Sequence, residues 1–318
     1  MKTLPFLSFL FLLANSLPAQ QEYERVDSIV QSFQEPYSDP AGLALLLTKP
    51  FRTEREKARA IFAWVSFNIR YDYKKYKDPP STHYFTGANA KELEKNMREY
   101  REKGIRSTLK SKKGVCSDYS HLVQKMCEAA GLECTLIGGQ ARTLRGRSGT
   151  HAWNAVKFDG RWHLLDATWG AGFIDREDEK FVRRYSPAFF DTAPSLFILN
   201  HLPDEEKWQM LEKPLSKKEF AKQPTVNFSN PDYPITAYTP GNGKIVPVGG
   251  KAEIRIQFGA APKVFVVSAG NREFPTDVET TEDGWTVLRF APGGASEIKV
   301  FGGESWERTV IVGKFEVE

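Results

Sequence analysis

Two β-rich runs, residues 151–158 and 161–168, are separated only by Asp159-Gly160. An Asp-Gly pair between such runs predicts a two-residue hairpin of type I′, whose two central residues both take positive φ. A turn that short leaves one register. Phe158 then stands opposite Arg161, Trp153 opposite Asp166, and His151 opposite Thr168. His151 and Trp153 share a face, so Asp166 is the diagonal same-face neighbour of His151, about 7 Å away between Cα atoms. A carboxylate at that separation can hold one imidazole nitrogen and set the ring's tautomer. His163 falls on the opposite face by the same count.

Upstream, Gly114-Val115-Cys116-Ser117-Asp118 leads into Tyr119, Leu122, Val123, Met126, Cys127 and Ala130 at helical spacing, with Gly131 placed to end the helix. Cys116 therefore lies in the first turn of a core helix, where unpaired N–H groups and the helix dipole favour a thiolate. Each residue alone has a plainer reading: a small buried hydrophobe, a structural histidine, a strand-end carboxylate. Together, Cys116 as nucleophile at a helix start, His151 as base on a strand and Asp166 as its orienter on the next are the parts of covalent acyl transfer.

The remaining composition limits the alternatives. The chain has 318 residues, 41% hydrophobic and 26% charged, which fits a folded globular protein and excludes collagen-like, coiled-coil and wholly disordered chains. Its 44 basic and 40 acidic residues are interspersed, so nucleic-acid binding is not expected. Three cysteines cannot build a disulfide scaffold. Cys127 and Cys134 are either two small buried residues or a disulfide pair. No Cys-x-x-Cys or His-x-x-x-His pair occurs, so neither metal nor cofactor is expected. Residues 1–19 read as a signal sequence cleaved near Ala19: Lys2, an apolar stretch over 4–13 broken by Ser8, then Leu17-Pro18-Ala19. That stretch is shorter than the ~20 residues a membrane span needs. The expectation is an exported protein, secreted or periplasmic, with no membrane span.

Along the chain, Val26, Ile29, Val30 and Phe33 predict a helix within 22–48. Thr53 with Glu56 makes a capping box for a second. A further helix is expected over 90–103 within a charged stretch at 74–113, and a short helical piece over 205–211. His121 reads as a surface or packing residue. Trp153, Trp162 and Trp169 read as core or cleft walls, with Trp153 and Trp169 the candidate substrate contacts. The glycine-rich loop over 138–149, carrying Arg142, Arg145 and Arg147, is either a solvated turn or a cleft rim. From residue 226, β-rich runs at 252–258, 263–268, 285–290, 297–301 and 309–317 alternate with turn signals such as Asp283-Gly284 and Gly302-Gly303. They predict a small immunoglobulin-like β-sandwich. It contains no Cys or His, and is expected to be accessory.

The blocks Gly114–Ser120, His151-Ala152-Trp153-Asn154 and Trp162–Trp169 resemble the transglutaminase-like superfamily of papain-type cysteine enzymes. Residues 56–65 and 69–72 resemble its N-terminal helix, and 201–211 the kyphoscoliosis-peptidase-type branch. The resemblance implies an α+β fold, a papain-like core in which the helix carrying Cys packs on an antiparallel sheet, followed by the sandwich. The implied domains are a signal peptide over 1–19, a catalytic domain over 20–225 and the sandwich over 226–318. It also implies a Cys116–His151–Asp166 triad acting on amide bonds of a protein or peptide substrate, hydrolysis slightly favoured over acyl transfer. A catalytically silent, protein-binding member of the same fold is the alternative.

Overall fold

A computed structural model of the chain describes residues 16–37, 39–79, 85–144, 146, 148–175 and 177–318, with only the backbone over 16–21. Most of the expected signal sequence, residues 1–15, lies outside the described residues, as do Arg145 and Arg147 of the glycine-rich loop. The chain divides into two units: the residues up to Leu136 with Trp153–Tyr185, and Ile137–Ala152 with Ser186–Glu318.

The first unit is built on helices α1 (Ser16–Gln31), α2 (Pro40–Thr48), α3 (Glu54–Asn68), α4 (Tyr73–Lys77), α5 (Ala90–Ser111), α6 (Cys116–Ala129) and α7 (Ala167–Ala171). The single helix expected within 22–48 is two. Pro40 lacks an N–H and suits a first helical turn, and Asp39 caps that turn by accepting the Ala41 and Gly42 N–H groups at 2.8 and 2.9 Å. The capping box of α3 is present: Thr53 N–H donates to Glu56 at 2.9 Å, and Glu56 N–H donates to the Thr53 hydroxyl at 3.1 Å. Helix α3 supplies the centre of this core through Ile61, Phe62 and Val65, each fully buried. The buried Arg59 guanidinium is neutralised by Asp27 through two bonds of 2.8 and 2.6 Å. Helix α5 runs eight residues past the expected end and stops at Lys112, whose φ of 55° is left-handed.

Short parallel strands β1 (Arg70–Tyr71) and β2 (Lys113–Gly114) pair beside α6. Strands β3 (Cys134–Arg142) and β4 (Ser148–Phe158) follow α6. β4 pairs with β5 (Arg161–Leu165) in the expected register, from Phe158 opposite Arg161 to Asn154 opposite Leu165. Asp159 and Gly160 have φ of 50° and 71°, the two positive values of a type I′ turn. β5 ends at Leu165, three residues before the expected end, because Asp166 caps α7.

In the second unit, β3 pairs with His201–Pro203, Ala141 opposite His201. The piece expected over 205–211 is one 3₁₀ turn, Glu206–Gln209. The C-terminal region is all-β, in two sheets that are antiparallel except where Lys244–Ile245 pairs in parallel with Arg308–Val317. One orders Thr225–Val226, Arg308–Val317, Glu297–Ser305, Val264–Ala269 and Arg272–Phe274; the other orders Ile235–Thr239, Ala252–Phe258, Trp285–Phe290 and Thr276–Thr280. Ring pairs join the sheets: Phe258 with Phe265 at 5.9 Å and Phe274 with Phe290 at 6.4 Å. Gly302-Gly303, expected as a turn, lies inside a strand. A Cβ on Gly303 would come 1.9 Å from the Arg308 carbonyl, so these glycines admit close backbone approach. No helix among the described residues is long and apolar enough to cross a membrane.

Candidate active site

Cys116 is the first residue of α6 and is half-buried. Two ties fix its turn. Asp72 N–H donates to Gly114 O at 2.9 Å in line with the β1–β2 pairing, and the Tyr119 hydroxyl donates to Ile69 O at 2.8 Å. Asp118 closes the helix start by accepting the Val115 N–H at 2.8 Å, and Lys75 pairs with it at 2.6 Å. Gly114 must be small there, since a Cβ would stand 2.6 Å from Asp118 Cβ. Tyr71, paired through its backbone with Gly114, is an electrostatic neighbour of Cys116 and Asp166. Burial first, then the charges of Cys116, Tyr76 and Asp166, raise its phenol well above the ordinary 10, so Tyr71 is a neutral donor at neutral pH.

Asp166 is buried, and its Oδ1 accepts the Thr168 and Trp169 N–H groups at 2.8 and 3.1 Å. The carboxylate is thus aimed by its cap role in α7. That helix seats closely on α3: a Cβ on Gly170 would lie 2.7 Å from the Phe62 ring, and Ser66 Oγ donates to Ala167 O at 3.2 Å. His151 lies three residues before Asn154 on β4. The His201 ring is 5.4 Å from that of His151 and stacks on Phe197 at 4.1 Å, and its Nδ1 meets Asn200 Oδ1 at 2.5 Å.

The other sequence candidates separate. His163 stacks on Phe158 at 3.6 Å, and its Nε2 contacts Phe158 O. His121 is half-buried, and burial chiefly lowers its pKa. Trp153 is 1% exposed, which makes it a wall of the core in this state; Trp162 and Trp169 are half-buried. Cys127 and Cys134 stand together as thiols. The neighbouring Cys134 first, then burial, hold the Cys127 thiol well above the ordinary 9.0. Tyr71, Lys75, Asp118 and His201 were not singled out by their residue patterns. Asp118 alone carries a local signal, an acid three residues after the residue preceding a helix.

All three triad candidates fall inside residues 83–167, which match the family model of the transglutaminase-like superfamily. Over that stretch the chain is similar to that superfamily. Among curated proteins, it is 28% identical over 289 residues to the human kyphoscoliosis peptidase, covering 88% of this chain and 40% of that protein. Hillarin of Drosophila melanogaster is 26% identical over 294 residues, covering 85% of this chain and 33% of the relative. The chain thus spans two fifths or less of the length of these relatives. A crystallised TGase shares 17% identity with a TM-score of 0.31, over 57% of this chain and 41% of that one, a likeness too distant to carry an argument.

Proposed function

We propose that this chain is an exported cysteine enzyme that cleaves or transfers the acyl group of amide bonds in proteins or peptides. The observation that carries the reading is that Cys116, which opens α6, and Asp166, a buried carboxylate fixed by its own helix-capping bonds, share Tyr71 as an electrostatic neighbour. Cys116 at the opening of α6 is the nucleophile. Its Sγ bonds to the substrate carbonyl carbon as His151 accepts the thiol proton, and the carbonyl π pair moves to oxygen. Collapse of the adduct breaks the C–N bond, and the amine leaves with the proton that His151 returns. A thioester remains. Water or a second amine then attacks it, giving an acid or a new amide and restoring the thiol. Asp166 holds the imidazole in one tautomer and stabilises its charged form. Hydrolysis is favoured over transfer because the curated relatives include proteins called peptidases.

The test is alkylation of the full chain by iodoacetamide at pH 7, mapped by peptide mass spectrometry. Cys116 labels faster than Cys134, and His151→Ala slows it. Equal slow labelling of both cysteines, unchanged by His151→Ala, would favour a catalytically silent binding protein.

A further inference from the structure

The outer face of the larger C-terminal sheet carries a cavity of about 400 Å³ far along the chain from every triad candidate. Its floor is made by opposed pairs: Val266 faces Phe301, and Ser268 faces Glu273. Asn271 and Thr309 complete its polar rim, and Trp306 stands at its edge, 69% exposed. The backbone is irregular on both sides of this cavity. The Glu297–Ser305 and Arg308–Val317 ladder slips register between Gly303 and Ser305, the kind of bulge that re-aims side chains. Gly303 is needed there because any Cβ would strike the Arg308 carbonyl. Glu304, the extra residue, is held by Lys263 at 2.6 Å and by the Tyr233 hydroxyl at 3.2 Å. On the opposite rim, Gly270 takes a φ of 56° as the first central residue of the turn between Ala269 and Arg272, which sets Asn271 at the cavity mouth.

We infer that this cavity is a binding site for a neutral carbohydrate. The lining residues include no Lys, Arg or His, which disfavours phosphate, sulfate and nucleic acid. Two aromatic rings beside two hydroxyls, an amide and a carboxylate suit a ligand with an apolar C–H face and a rim of hydroxyl groups. Trp306 and Phe301 take the face; Ser268, Asn271, Glu273 and Thr309 take the hydroxyls. The volume sits at the lower end of the ~300–1,000 Å³ typical of small-molecule sites, room for about one or two sugar rings. The site gives the accessory sandwich a task, holding the protein on glycan.

Affinity electrophoresis of the full chain in native gels containing a soluble β-glucan, xylan, galactomannan or amylose tests this directly. The expected result is retardation in at least one gel. Trp306→Ala should weaken binding at least tenfold, Trp306→Phe partly retain it, and Asn271→Ala weaken it with an unchanged far-UV spectrum. No retardation in any gel overturns the assignment, as does retardation that Trp306→Ala leaves intact. Preference for heparin over the neutral polymers, or Trp306-dependent retention on casein in their place, overturns it too. Iodoacetamide labelling of Cys116 in Trp306→Ala should match the parent chain, so this inference and the acyl-transfer reading fail on separate readouts.

Discussion

Asn154 holds the strand that carries His151 against the helix that carries Cys116. Its Nδ2 donates to Ser120 O at 3.0 Å and to Thr135 O at 3.3 Å, and the residue is 1% exposed. Asn154→Ala leaves two buried carbonyls short of a donor, and we expect a loss of about 1–3 kcal/mol in urea unfolding. Asp166 separates stability from chemistry more sharply. Asparagine also caps helices, so Asp166→Asn should cost less than about 1 kcal/mol, while Asp166→Ala loses the cap as well. The amide cannot enforce the same imidazole tautomer, and the acylation rate should fall by about 10²–10⁴-fold in Asp166→Asn. A rate within twofold of the parent would remove Asp166 from the orienting role.

Helix α3 shows how one terminus ties several segments. Burial alone would raise the Glu56 carboxyl, but the Thr53 and Arg52 N–H groups, the Thr53 hydroxyl and the Arg25 guanidinium together hold it below the ordinary 4.5. A carboxyl depressed in the folded state contributes stability in full above 4.5, and that contribution is lost as pH falls through the lower folded value. Glu56→Gln should therefore cost about 1 kcal/mol at pH 7 and lose less stability than the parent chain when titrated towards pH 3. Parallel pH profiles for the two chains would contradict this. The same element explains why parts of the fold could be read in advance. Thr53 and Glu56 meet three residues apart, Asp159-Gly160 dictates a turn by its φ values, and α6 keeps an apolar face over its whole length; all three signals are local. The break between α1 and α2 is local too, but the apolar spacing of Val26, Ile29, Val30 and Phe33 masked the stop signals of Pro36 and Pro40. Tyr71 neighbours Cys116 and Asp166 from a segment whose own patterning says nothing of them, so only folding brings it in. Gly302-Gly303 reads as a turn because a close strand approach and a turn ask for the same residue.

At the scale of the molecule, the C-terminal region is bound into the second unit before residue 230. Val226 pairs with Gly313, Asn227 Nδ2 donates to Ile311 O at 3.0 Å, and Phe228 is 1% exposed. A chain ending at Asn230 should therefore bind more hydrophobic dye than the parent, because its partner strand is gone. We expect Cys116 in that chain to keep its rapid alkylation, since no Cys or His lies in the removed part. A folded truncate with a slow Cys116 would give the C-terminal sheets a share in the active site. The central claim, a Cys116 thioester made with the help of His151 and Asp166, is tested most directly by intact-mass spectrometry of the full chain quenched within seconds of mixing with p-nitrophenyl acetate. The parent should gain one acetyl group on Cys116, then lose it on standing. His151→Ala and Asp166→Asn should gain it far more slowly, and Cys116→Ala not at all. Acetylation at equal rates in all four chains, or none in the parent, would contradict the account.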